Sequence, residues 1–419
     1  MHSGVSTLNS ELSTLHIALG KIAMNIRIGD MKRLLLLMVS AGVLLVSSQA
    51  QAQSSVTLYG LIDVGIDWES QAAKAPGQRT ASGSAVRMTS LAGSLPSRWG
   101  LRGKEELGGG VNVIFDLENG FAPNSGALNN GNRLFGRAAW LGLESQYGTF
   151  RMGRQENMTY IGLLKSTVLG PALYSLAALD PYLPNSRSDN AVSYFGEFRH
   201  VVAGATYSTG RDAATAAGGT AANAGAAYNP AASNCPGNVP GDPVACRQIT
   251  ALVGYWGQTL GLQFVYDQLR GGPGLSAGSV SYDPSMPLLL ATSSAKTTRY
   301  MASGYFLLGD LSLRGGVIHR MTTTTTDYQT NIFYGGAVYM FRPDIEFDGE
   351  ISRITTTDQK NANYYVMRAT YLLSKRTSLY TMLGFMQNNS RASYAVGAGY
   401  NTVAGAKQTG VLVGMQQRF

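Results

Sequence analysis

From residue 56 to its end the chain repeats one pattern. Stretches of about ten residues alternate apolar and polar side chains, with Gly, Asn and Ser between them. Period-two alternation puts the two sets on opposite faces of a strand. In 56–68, VTLYGLIDVGIDW, residues Val56, Leu58, Gly60, Ile62, Val64, Ile66 and Trp68 fall on one side, with Thr57, Tyr59, Leu61, Asp63, Gly65 and Asp67 on the other. In 111–119, Val111, Val113, Phe115 and Leu117 oppose Asn112, Ile114, Asp116 and Glu118. A large sheet of this kind faces two different solvents. If one of them is hydrocarbon the sheet must close, because an open edge leaves backbone groups unpaired there. After residue 52 no segment reaches 18 consecutive apolar residues, so helical membrane spans are excluded.

The last nine residues, VLVGMQQRF, fit that frame. Val411, Val413, Met415 and Phe419 share one face with Gln417 as the polar exception, and Leu412, Gly414, Gln416 and Arg418 share the other. A chain ending on such a strand keeps it inside a sheet, and in a barrel this strand closes the wall. The pattern predicts strands at 56–68, 97–106, 111–119, 135–144, 148–155, 189–197, 200–208, 248–256, 260–268, 298–308, 311–320, 330–341, 344–354, 362–372, 377–387 and 408–419. The predicted fold is therefore all-β: a transmembrane antiparallel 16-stranded barrel with both termini on the periplasmic side. Short turns near 145–147, 257–259, 309–310 and 373–376 alternate with long links at 69–96, 120–134, 156–188, 209–247, 269–297 and 388–407, as short periplasmic turns and long external loops do. Residues 391–402 also alternate and would make a seventeenth strand; parity places them in the last external loop, as an extension of the wall above the membrane.

Residues 31–52 read as a secretory signal. Lys32 and Arg33 precede an apolar run at 34–46, and Ala50-Gln51-Ala52 is an A-x-A cleavage pattern. Residues 1–30 read either as an upstream extension foreign to the native protein, with translation starting at Met31, or as a long n-region. In both cases 53–419 forms a single barrel domain. Four basic and two acidic residues lie in 1–52, so the net +8 of the chain becomes +6 after export. The arginines are spread among strands, and no nucleic-acid motif or patch is present. Export makes a disulfide between Cys235 and Cys246 the favoured reading, the alternative being two unpaired loop thiols. Two thiols without a nearby histidine do not make a metal site, and no cofactor is implied. Trp68, Trp99, Trp140, Tyr371, Tyr380 and Phe419 suit interfacial girdles, although aromatics fill strands by propensity as well.

At this point the chain resembles the general porins of Gram-negative bacteria, particularly the betaproteobacterial branch of trimeric 16-stranded porins. The matching pieces are SSVTLYGLIDVGI at 54–66, SRWGLRGKEELGGG at 97–110, NVIFDLENGF at 112–121, FGRAAWLGL at 135–143, YGTFRMGRQ at 147–155 and YLLSKRTSLY at 371–380. The resemblance implies a passive, water-filled homotrimeric channel for inorganic ions and small polar solutes. Its third external loop would fold inward, with basic wall residues facing acidic ones. It also implies that Phe419 serves as the signal read by the barrel-assembly machinery. Outer-membrane lipid and lipopolysaccharide are the other expected partners.

The third external loop by count is 156–188, and its middle, 162–185, is apolar enough to pack inside the barrel, with a short helix expected near 171–179 after Pro171. Parity turns Arg98 and Arg102 inward. Arg137 is ambiguous by parity, and the resemblance places it inward; Arg154 lies where the pleat no longer decides. Glu156 and Asp180 are the acidic candidates of the constriction, with Asp116 and Glu118 as further lumen groups, and Arg187 either lines the pore or ties the loop to the wall. Several inward arginines and the net charge lead to the expectation of a general diffusion porin with anion preference. The rivals are a channel selective for sugars or carboxylates, a barrel enzyme and an adhesin. His200 and His319 have no serine–acid partners near them in sequence, which argues against the enzyme.

Overall fold

A computed structural model describes residues 55–74, 79–90, 92–211, 235, 237–272 and 290–419. The signal-like segment and the 30 residues before it lie outside the described residues, as do 212–234. The strands are β1 (Ser55–Ala72), β2 (Gly83–Met88), β3 (Arg98–Gly108), β4 (Val111–Gly120), β5 (Ala138–Ser145), β6 (Gly148–Glu156), β7 (Arg187–Phe198), β8 (Val201–Ser208), β9 (Gln248–Trp256), β10 (Leu260–Arg270), β11 (Lys296–Leu308), β12 (Leu311–Thr323), β13 (Asp327–Arg342), β14 (Ile345–Thr356), β15 (Ala362–Leu372), β16 (Thr377–Asn388) and β17 (Lys407–Arg418). No helix among the described residues is long and apolar enough to cross a membrane.

Each wall strand pairs antiparallel with its neighbours, and β17 returns to β1 in register from Leu61↔Arg418 to Glu69↔Gly410, so the wall closes. It has sixteen positions, because β2 and β3 share the second. β3 pairs with the first half of β1 (Ser55↔Lys104 to Leu61↔Arg98), and β2 pairs with the second half. The seventeenth strand is thus 83–88, inside the first long link, and not 391–402. Between β2 and β3 the chain dips into the lumen, where Asp63 accepts hydrogen bonds from Ser94 N at 3.1 Å and Leu95 N at 2.9 Å.

The alternation sorts by solvent. Val56, Leu58, Met367 and Val413 are exposed on the outer face by 59–67%, as lipid contact requires. Asp63, Asp67, Asp267 and Glu350 point inward and are buried. Trp68, Tyr371 and Phe419 are exposed outward. Trp140 and Tyr380 are not girdle residues. Trp140 lies opposite the inward Asp116, and the Tyr380 hydroxyl donates to Asp63 at 2.5 Å inside the barrel. Both faces of β5 and β16 carry large apolar residues, so alternation could not choose a side there.

Lumen burial, rather than sheet-on-sheet packing, supplies the core. Leu163, Leu169, Leu173, Tyr174, Leu176, Leu179 and Leu183 of the third external loop pack with Leu252, Val265, Met301, Ile318, Ile332, Tyr364 and Met386 of the wall. Each such side chain removed from water stabilises the packed loop by roughly 1.5–3 kcal/mol. Residues 391–402 join this core instead of extending the wall. Ala392, Val396 and Ala398 are buried, Val396 N donates to Gln408 Oε1 at 2.7 Å, and Ala398 N donates to Leu173 O at 3.1 Å. Their alternation reflects packing between loop and wall.

In the fourth external loop Cys235 and Cys246 form a disulfide with a Cα–Cα distance of 5.2 Å. It packs beside Leu290 and Ala295, and Cys246 N donates to Gly271 O at 2.8 Å.

Candidate pore constriction

The third external loop enters the barrel as a helix, α1 (Met158–Ser166). The helix lies earlier than 171–179, because Asn157 caps it: its side chain accepts from Thr159 N and Tyr160 N. The stretch 171–179 holds only a single 3₁₀ turn, Leu176–Ala178.

Wall carboxylates hold the loop. Asp267 accepts from Thr159 Oγ1 at 2.7 Å, from the Tyr182 hydroxyl, and from Gln248 Nε2 at 2.8 Å. Glu350 accepts from Thr167 Oγ1 at 2.7 Å and Val168 N at 3.1 Å. Asp67 accepts from the Tyr174 hydroxyl. That tyrosine reaches its site because Gly384 and Gly410 leave room on the inner face; a Cβ on Gly410 would lie 2.3 Å from the hydroxyl.

The tether also runs in the opposite sense. Asp180 is 3% exposed and pairs with Arg299 at 3.0 Å and Arg320 at 3.1 Å, which face each other across β11 and β12. Burial alone would raise the Asp180 carboxyl, but Arg299 and then Arg320 outweigh it, so the group lies below the ordinary value of 3.8. Tyr182, over whose ring Arg299 stacks at 4.2 Å, is pushed upward by burial and by Asp267. Arg299 and Arg320 are missing from the sequence expectation, although parity within their strands turns both inward.

On the facing wall three of the expected arginines cluster around two carboxylates, two of them on Glu118 and the third on Glu156. Arg137 Nε lies 2.6 Å and Arg98 Nε 3.4 Å from the Glu118 carboxylate. Arg187 donates through Nε to Arg137 O at 3.0 Å, pairs with Glu156 at 3.0 Å, and lies over the Tyr160 ring at 4.8 Å. Arg137 precedes β5 by one residue, so the outward parity of Leu141 and Leu143 does not bind it. Three guanidiniums against two carboxylates leave one net positive charge.

Arg102 sits nearer the periplasmic end of β3. It pairs with Asp116 at 3.0 Å and lies over the Tyr59 ring at 4.0 Å, with its side chain 60% exposed. Arg154 is brought elsewhere: a bulge between Gly153 and Gln155 takes it off the regular pleat, and Asp189 holds it at 2.5 Å together with Arg133 at 3.2 Å. Three further cations have no carboxylate partner among the described residues. Arg151 lies over the Trp140 ring at 4.5 Å. Arg314 donates to Thr167 O at 3.3 Å and Ser312 Oγ at 3.1 Å. Lys165, exposed on α1, lies over Trp256 at 4.4 Å. Parity could have found Arg151 and Arg314, but the pairing of their neighbours is a tertiary fact.

A closed antiparallel wall with an inward loop and a charged lumen defines a water-filled β-barrel channel. The Gram-negative porin family model matches residues 38–393, and the chain belongs to that family. It is 28% identical over 403 residues to an outer membrane porin protein of Bordetella pertussis, covering 88% of this chain and 96% of the relative. To outer membrane porin protein 32 of Delftia acidovorans it is 26% identical over 402 residues, covering 91% of this chain and 99% of the relative. Its fold is similar to that of the anion-selective porin from Comamonas acidovorans, with a TM-score of 0.67 at 21% identity, covering 88% of this chain and all of that one. The chain is accordingly a general diffusion channel of the outer membrane of a Gram-negative bacterium, crossing it with strands.

Proposed function

We infer that this porin prefers anions, and that one observation carries the reading: the acidic groups of the constriction are spent on ion pairs or on hydrogen bonds that hold the loop, while Arg151, Arg314 and Lys165 pair with no carboxylate among the described residues. The single acidic residue deep in the loop, Asp180, is buried under two arginines, so the exposed charge that α1 presents is the positive Lys165. In a confined lumen such charges repel cations and concentrate anions without binding them tightly. Arg98, Arg137 and Arg187 act together as the basic side of the eyelet around Glu118 and Glu156. Arg102 contributes toward the periplasmic mouth. Asp180 is a tether and Arg154 a structural partner of Asp189.

Small polar solutes and inorganic ions pass without chemical change, and no step requires a cofactor. The working unit is a homotrimer, supported by the likeness to a solved trimer form of OmpT from Vibrio cholerae, at 12% identity and a TM-score of 0.56. Outer-membrane lipid and lipopolysaccharide surround it. Phe419 is the residue that the barrel-assembly machinery reads.

Planar-bilayer recordings test the reading. In a salt gradient of potassium chloride the reversal potential is expected to take the sign of chloride permeation, with closure in steps of three. Neutralising Arg98 and Arg102 together, by substitution with glutamine, is expected to shift it toward zero. A reversal potential of the cation sign in the unaltered channel sinks the anion preference and leaves the channel standing.

A further inference from the structure

We propose that Arg151, laid on Trp140, is a carboxylate-binding station on the periplasmic side of the constriction, which gives this channel a preference for small carboxylates over other anions of equal charge. The proposal rests on the anion-preferring reading above and names the solute class that reading leaves open.

The site is built across neighbouring strands. Arg151 on β6 lies opposite Gly142 on β5, and a Cβ at Gly142 would stand 3.2 Å from Arg151 Cγ. The absence of a side chain there lets Arg151 lean back across the sheet and cover the indole of Trp140, two residues along β5 on the same inward face. A guanidinium resting on an aromatic face is held by cation–π attraction and loses much of its rotamer freedom in advance.

Every carboxylate near it is engaged, beginning with Glu156, which pairs with Arg187 at 3.0 Å. Asp116, directly across from Trp140, accepts from Arg102 Nε at 3.0 Å and from the Tyr59 hydroxyl at 2.7 Å. Glu118 is taken by Arg137 and Arg98, and Glu144 by Lys104 at 2.9 Å. Among the described residues no group accepts a hydrogen bond from the Arg151 guanidinium. Arg154, three residues on, is held by Asp189 at 2.5 Å.

A fixed guanidinium that the protein itself does not satisfy presents parallel N–H donors to the lumen. Planar carboxylate matches that fork through two oxygens, chloride cannot, and tetrahedral sulfonate matches it less well. An ammonium at the same place would supply the charge without the fork.

Single-channel currents carried by potassium chloride, acetate and methanesulfonate distinguish these cases. In the unaltered porin the acetate current is expected to saturate with concentration, while the chloride current stays linear over the same range. Arg151→Lys retains the charge, so its chloride conductance should stay within about twofold, whereas half-saturation by acetate should move up about tenfold. Trp140→Leu keeps the arginine but removes its support, and should weaken acetate saturation with chloride conductance again preserved. Unchanged chloride conductance in either variant shows an intact channel. The proposal is overturned if acetate fails to saturate an anion-preferring channel, if R151K saturates like the unaltered porin, or if methanesulfonate saturates as acetate does. A chloride reversal potential of the wrong sign would instead remove the broader reading.

Discussion

Asp180→Asn is expected to release the constriction loop while the barrel stays closed. The substitution removes the carboxylate that bridges Arg299 and Arg320 and leaves them buried side by side, with Asp267 the remaining negative group acting on Arg299. Breaking a buried pair in this way costs about 3–5 kcal/mol. The wall strands pair through their backbones and do not depend on the loop. The cost therefore falls on the docked position of 157–186, which keeps its apolar packing and the hydrogen bonds to Asp67, Asp267 and Glu350 but loses its ion pairs from Asp180. Larger, noisier single-channel conductance with unchanged resistance to detergent unfolding is the expected outcome; a conductance trace identical to that of the unaltered channel would remove Asp180 as a tether. The acid dependence follows from sign. Asp180 has a depressed folded pKa, so its contribution is full above the ordinary value of 3.8 and is lost as pH falls through the lower folded value. The difference between the unaltered channel and D180N should hold steady from neutral pH down to 3.8 and close only in stronger acid.

Gly60→Val is expected to disrupt closure of the barrel. Gly60 and Phe419 exchange two backbone hydrogen bonds, at 3.0 and 3.1 Å, and the Phe419 ring covers the glycine. A Cβ at residue 60 would stand 2.1 Å from the nearest ring carbon, so the ring or the strand must move. Refolding into detergent micelles, followed by the fraction running as folded barrel on an unheated gel, measures this without assembly machinery. In a Phe419→Ala background the ring is gone and G60V should add little further loss, a coupling that a double-mutant cycle isolates. If G60V is equally damaging in both backgrounds, the ring contact is not what closes the seam.

Much of the wall was legible in the sequence because its two faces meet opposite solvents. β9 and β15 run where alternation put them, and Arg98 and Arg102 turn inward as parity required. Legibility ends where that contrast ends. β5 and β16 carry large residues on both faces, so Trp140 and Tyr380 could have gone either way. The six-residue β2 is too short to stand out from its loop, and 391–402 alternates for packing reasons alone. For the constriction, sequence supplies the list of charges but not their partners. Arg151 and Arg154 are three residues apart on one strand, so regular alternation would put them on opposite faces; the bulge between Gly153 and Gln155 takes Arg154 off that pleat to Asp189, while Arg151 stays in register. Asp180 similarly reads as a lumen acid until β11 and β12 bring two arginines to it.

The register of β1 with β17 bears on how such a barrel can be made. Nearly all wall contacts join strands that are neighbours along the chain, and these can form as soon as each hairpin exists. The seam from Leu61↔Arg418 to Glu69↔Gly410 joins opposite ends of the polypeptide. Its loop-closure entropy is the largest in the molecule, and it brings no reward until the final strand arrives. Until then β1 and β17 are unpaired edges in a lipid setting that penalises unpaired backbone groups. A chain lacking β17 would therefore stall at one place, as an open sheet with β1 and β16 as its two edges.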